Sequence, residues 1–145
     1  MRQCERCGIE LAWGDGQSSC IVQRPKQISE LLCFDCYEEK IRIKGQVNMH
    51  RCRARKLGLS DTLTVAEWLE TQRDFDYRCA YCRSNSAICL EHFIPLELGG
   101  GTVKWNCVPA CGACNRKKKN KHPSDVKLIP QEAIERVRTY LTSFL

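Results

Sequence analysis

Apolar and polar positions along this chain mark out a few elements clearly and leave others faint. Short apolar runs at residues 9–13 and 19–23 flank Gly14, Asp15 and Gly16, and predict a β-hairpin. After Cys33 a helix is expected through Tyr37 and Ile41, stopping at Gly45. Residues 51–57 could form a further helical turn or two ended by Gly58, but residues 46–63 hold no pattern strong enough for a core element. Thr64 followed three positions later by Glu67 is a capping box. It opens a short helix carrying Val65, Trp68 and Leu69. Near the end, Pro130 suits a first helical position. Ile134, Val137, Leu141 and Phe144 follow at helical spacing, so this stretch predicts an amphipathic helix packed on a core.

Composition changes this picture at the cysteines. The chain has 145 residues and 12 Cys, and a core this small gains from a staple. Eight of the cysteines form C-x-x-C pairs: Cys4/Cys7, Cys33/Cys36, Cys79/Cys82 and Cys111/Cys114. Two such pairs close one tetrahedral zinc site, so two structural Zn²⁺ ions are expected. A secreted disulfide framework is the rival reading. It needs an oxidising compartment, and Met1-Arg2-Gln3-Cys4 opens no apolar signal segment. The expectation is a reducing cytoplasm, in a bacterial or phage-encoded protein, with no membrane span. Cys20, Cys52, Cys89 and Cys107 are expected to act as small apolar residues, the last two in a hairpin core.

Each half has the same order of C-x-x-C, hairpin, C-x-x-C and helix, the layout of a treble-clef zinc finger. The fold class expected is α+β: a small zinc-stabilised protein with a zinc finger at residues 1–45, a basic linker at 46–63 and a second domain at 64–145. The formal charge is +6, but eight zinc-bound thiolates and two Zn²⁺ would bring it down to +2. Its distribution says more. Arg116, Lys117, Lys118, Lys119 and Lys121 form one basic cluster, and Arg51, Arg53, Arg55 and Lys56 another. Such blocks suit phosphate contacts on DNA; a solvated helix face is the plainer reading of either one alone.

The second half reads Cys79-Ala80-Tyr81-Cys82, then Glu91-His92-Phe93-Ile94-Pro95, then Gly99-Gly100, Asn106, and Cys111-Gly112-Ala113-Cys114-Asn115. Over about residues 64–123 this resembles the HNH endonuclease family, whose pattern is an acid and His, a Pro, a Gly-Gly, an Asn, then C-x-x-C-Asn and Lys. The resemblance implies a ββα-metal fold. It implies His92 as general base, Glu91 and Asn115 as ligands of a catalytic divalent cation, and Asn106 as the holder of the connecting loop. The family usually has Asp before the His. Glu91 moves the carboxylate outward by one methylene, and Glu97 is the spare acid. Adjacent strand residues face opposite ways, so Glu91 and His92 need a bend or strand end to share a cleft, which Pro95 would favour.

The chemistry fits these residue types. A neutral imidazole takes a proton from water near neutral pH. Mg²⁺ or Mn²⁺ prefers oxygen donors such as a carboxylate and an amide. In the HNH family such chemistry leaves 5′-phosphate and 3′-hydroxyl ends. Alone, His92 would be read as an ordinary surface or core histidine; its neighbours reverse that. His50 and His122 lack such neighbours and are expected on the surface. Trp13, Trp68 and Trp105 are expected in the core. The first finger has Tyr37 where the second has Asn115, and is expected to be non-catalytic. The leading function is a metal-dependent DNA endonuclease, with dimerisation or two turnovers needed for a double-strand cut. A catalytically silent zinc-finger DNA-binding regulator is the alternative, and a protein-interaction module the third.

Overall fold

A computed structural model describes residues 2–11 and 32–145. The hairpin expected around residues 14–16, Trp13 and Cys20 lie outside the described residues. The chain divides into two units, Met1–Gly45 and Gln46–Leu145.

In the first unit, strand β1 (Arg2–Gln3) pairs antiparallel with β2 (Glu10–Leu11), Arg2 opposite Leu11 and Gln3 opposite Glu10. Between them the chain turns tightly: the Gly8 amide donates to the Cys4 carbonyl, and Gly8 takes a φ of +74°, which costs a glycine little. Cys4, Leu32 and Cys33 form a small apolar cluster with Cys36 and Tyr37 against it.

Helix α1 runs from Phe34 to Lys56. It does not stop at Gly45. A single internal glycine costs a helix about 1 kcal/mol, and good helix formers such as Lys44, Gln46 and Met49 surround it. The expectation that residues 46–63 form a linker without core positions is also corrected, since Val47, His50, Ala54 and Leu63 are buried.

In the second unit, α2 (Val65–Asp74) begins at Thr64 with both halves of the capping box formed. Its Trp68 is fully buried. Strand β3 (Ile88–His92) pairs antiparallel with β4 (Cys107–Cys111), His92 facing Cys107 and Glu91 facing Val108. Helix α3 (Gly112–Lys118) follows β4 at once, with Cys111 as its N-cap. The order β3, β4, α3 is the expected ββα unit. Helix α4 (Gln131–Thr142) starts after Pro130 and buries Ile134, Val137 and Leu141. Those residues share one core with Phe75, Tyr81, Phe93, Val108 and Ala110. Among the described residues no helix is long and apolar enough to cross a membrane.

The loop between β3 and β4 is shaped by glycine and asparagine. Gly99 ends the 3-10 turn Leu96–Leu98 with a φ of +91°. A Cβ on Gly100 would lie 1.9 Å from the Ile94 carbonyl oxygen, so only glycine lets the two backbones meet there. Asn106 closes the loop: its Oδ1 accepts from the Ile94 amide at 2.7 Å, and its Nδ2 donates to the carbonyls of Ile94 (2.9 Å) and Gly101 (2.8 Å).

Candidate active site and cysteine clusters

The sulfurs of Cys4, Cys7, Cys33 and Cys36 lie within 4.8 Å of one another, as do those of Cys79, Cys82, Cys111 and Cys114. The Cys7–Cys33 and Cys82–Cys111 sulfurs are 3.7 and 3.6 Å apart. Disulfide sulfurs would be about 2.0 Å apart. Four thiolates about 2.3 Å from one zinc would stand about 3.8 Å from each other. Both clusters therefore have the donor set and spacing for a tetrahedral Zn²⁺. The second also uses local structure: Cys111 Sγ accepts the Cys114 amide at the start of α3.

Beside the second cluster lies a cleft of about 100 Å³. It is lined by Glu91 and His92 from β3, Glu97 from the following turn, Asn115 and Lys119 from α3 and its end, and His50 and Arg53 from α1. Glu91 and His92 share it because His92 is the last residue of β3, where alternation no longer applies.

His92 is held in one sense. Its Nε2 lies 2.9 Å from Thr102 Oγ1, and that hydroxyl donates to the His50 carbonyl at 3.0 Å. A hydroxyl has one proton to give. Thr102 therefore accepts from His92, which places the ring proton on Nε2 and leaves Nδ1 with the lone pair. Burial pushes the ring pKa down to about 3, and the positive charges of Arg53 and Lys118 act in the same direction. The imidazole is neutral at ordinary pH.

Glu91 is 5% exposed. Its Oε1 lies 2.7 Å from Lys118 Nζ, and its Oε2 accepts from the Tyr81 hydroxyl at 3.2 Å. Burial lifts its pKa to about 7, with Lys118 and Tyr81 opposing that rise. Lys118 also donates to the His92 carbonyl at 2.8 Å, so one ammonium fixes both residues of the Glu-His pair.

Several expectations are corrected by this geometry. Lys118 is fully buried and cannot contact DNA; its ammonium is consumed by Glu91 and His92. Arg51 and Arg55 are tied to Asp61, Arg51 through the Asp61 carbonyl and Arg55 at its carboxylate. Arg55 stays exposed in that pair, as do Arg53, Arg116, Lys117, Lys119 and Lys121, so Lys118 is the one expected DNA contact that burial withdraws. His50 is buried at 8% exposure, not on the surface, and its ring meets that of His92 edge-on at 5.2 Å. His122 is half-buried, its ring edge-on to Phe93. Trp105 is 43% exposed and so is not core. Cys52 is exposed, whereas Cys107 is buried as expected. Thr102 and Tyr81 went unread in the sequence. Neither belongs to a recognisable motif, although Tyr81 lies inside the C-x-x-C pair.

Two short strands and a helix clasped by four cysteines form a ββα unit, with an acid, an imidazole and an amide at one cleft. Residues 79–121 match the sequence model of the HNH endonuclease family. That segment holds both cysteine pairs, Glu91, His92, Asn106 and Asn115, and speaks for nuclease activity in general terms. No curated protein sequence matches the chain.

Proposed function

We propose that the protein is a metal-dependent endonuclease that hydrolyses phosphodiester bonds in DNA, with His92 as general base. The observation that carries this reading is the Thr102 bridge. With Nε2–H spent on Thr102 and Thr102's proton spent on His50, Nδ1 is the basic atom, and desolvation keeps it unprotonated. An imidazole so oriented takes a proton from a water poised to attack phosphorus. A phosphodiester anion entering the cleft draws the depressed pKa upward, toward the range in which a base works best.

The oxygen donors of Glu91 and Asn115 suit Mg²⁺ or Mn²⁺, and Glu91 keeps lone pairs beyond those used by Lys118 and Tyr81. When bound, such a cation neutralises phosphate charge and stabilises the departing oxygen. Asn106 keeps the loop behind His92 closed, and Lys118 holds the Glu-His backbone in place. The exposed Arg116, Lys117, Lys119 and Lys121 supply charge for the DNA backbone.

The test is cleavage of supercoiled plasmid with Mg²⁺ or Mn²⁺ by wild type and by His92→Ala. The variant is expected to keep its fold and two zinc ions and to lose about 10²-fold or more in rate. Equal cleavage would remove His92 as base; DNA binding without cleavage by the wild type would favour a silent DNA-binding protein.

A further inference from the structure

Helix α1 brings to the cleft two side chains that lie outside the matched segment 79–121. His50 and Arg53 are three positions apart and so share one helix face. His50 is 92% buried, and its Nδ1 has no hydrogen-bond partner. Buried polar nitrogens are nearly always paired, and the ring that carries this orphan is part of the cleft lining. Two of its neighbours are paired elsewhere: Thr102 with His92 and the His50 carbonyl, Glu91 with Lys118 and Tyr81.

Charge selects the ligand. Arg53 is exposed at the cleft, and its positive charge reaches both the His50 and His92 rings. Lys119 lines the same space. A cation is repelled from this wall and an anion drawn to it. Of the two acids lining the cleft, Glu91 is paired with Lys118, and Glu97 belongs to the 3-10 turn Leu96–Leu98 rather than to α1. An arginine beside a neutral imidazole N–H matches the oxygens of a phosphoryl group, the arginine as a planar fork and the ring as a single donor.

We propose that the His50–Arg53 face of α1 is a phosphate-binding wall, with Arg53 pairing to a non-bridging oxygen of a phosphodiester and the His50 ring donating to the same group. The identity of that phosphodiester as a DNA backbone rests on the nuclease reading; the anion site itself does not. The wall also joins binding to the base, because the His50 carbonyl holds Thr102 and Thr102 holds His92.

Two measurements on the zinc-loaded 145-residue chain test this. In the first, inorganic phosphate is titrated into isotope-labelled protein without added divalent cation. Saturable shifts are expected at the Arg53 Nε–H and the His50 ring, with affinity falling about tenfold in Arg53→Ala and partly restored in Arg53→Lys. Shifts confined to Arg116, Lys117 and Lys121, or an unchanged affinity in Arg53→Ala, would overturn the wall. The second compares plasmid cleavage by wild type and Arg53→Ala, whose exposed position leaves the fold intact. A loss of about tenfold or more in kcat/KM supports the proposal, and equal rates overturn it. The two readings fail separately. Phosphate binding at these residues without any cleavage keeps the wall and removes the nuclease, whereas cleavage indifferent to Arg53 does the reverse.

Discussion

Thr102 is a small residue with a large say in the chemistry, because a single hydroxyl proton decides which nitrogen of His92 is basic. The decision is measurable. Nitrogen-15 spectra of the imidazoles are expected to show His92 neutral and protonated at Nε2 from pH 8 down to pH 5. The sign follows from the surroundings: burial, Arg53 and Lys118 all disfavour the charged ring, so its protonation moves below the usual 6.5 to about 3. A ring that titrates near 6.5, or carries its proton on Nδ1, would contradict the bridge. At this scale the sequence was legible where the cleft lining coincides with a motif. Glu91, His92, Asn106 and Asn115 stand in a motif, and the cleft lining does include Glu91, His92 and Asn115. It was illegible where the partner comes from elsewhere. Thr102 and His50 are 52 positions apart, and no local pattern announces that a helix before the motif reaches His92. Lys118 misled for a related reason. In a run of basic residues nothing local tells which one the helix turns inward.

The elements follow from local rules where those rules are strong. Thr64 and Glu67 specify the start of α2 through two reciprocal hydrogen bonds, and the spacing of Ile134, Val137 and Leu141 specifies α4. The continuity of α1 through Gly45 was not foreseeable from a glycine rule worth about 1 kcal/mol, since packing of Val47, His50 and Ala54 outweighs it. The β3–β4 loop obeys a harder constraint. In Gly100→Ala the new methyl would collide with the Ile94 carbonyl and the Asn106 amide, so the loop must open and Asn106 must surrender bonds. Hydrogen bonds broken in this way cost about 1–3 kcal/mol each. The variant is expected to lower the denaturation midpoint and to reduce cleavage, with zinc content unchanged. A variant as stable and as active as wild type would show that the clasp is dispensable.

At the largest scale, the described residues hold two four-cysteine clusters, one in each unit. Free energies of zinc binding in small fingers are about 10–16 kcal/mol, as large as the entire stability of an ordinary domain. Cys79→Ser is therefore expected to give a protein with one zinc by elemental analysis and loss of the cooperative melting of the second unit. Two retained zinc ions with an unchanged melting curve would refute the assignment. This level was the most legible of all, because C-x-x-C spacing reports the ligand set directly. The helix that runs through Gly45 was not readable in the same way.

Cys111 is at once the last residue of β4, the cap of α3 and a member of the second cluster. Three structural duties thus meet in one side chain, and the segment from His92's strand partner Cys107 to Asn115 has no slack. Adding one residue after Cys114 would swing Asn115 about 100° around the helix and away from His92. Natural variation in chain length must accordingly be lodged elsewhere, such as the turn joining α2 to Cys79 or the stretch between α3 and α4.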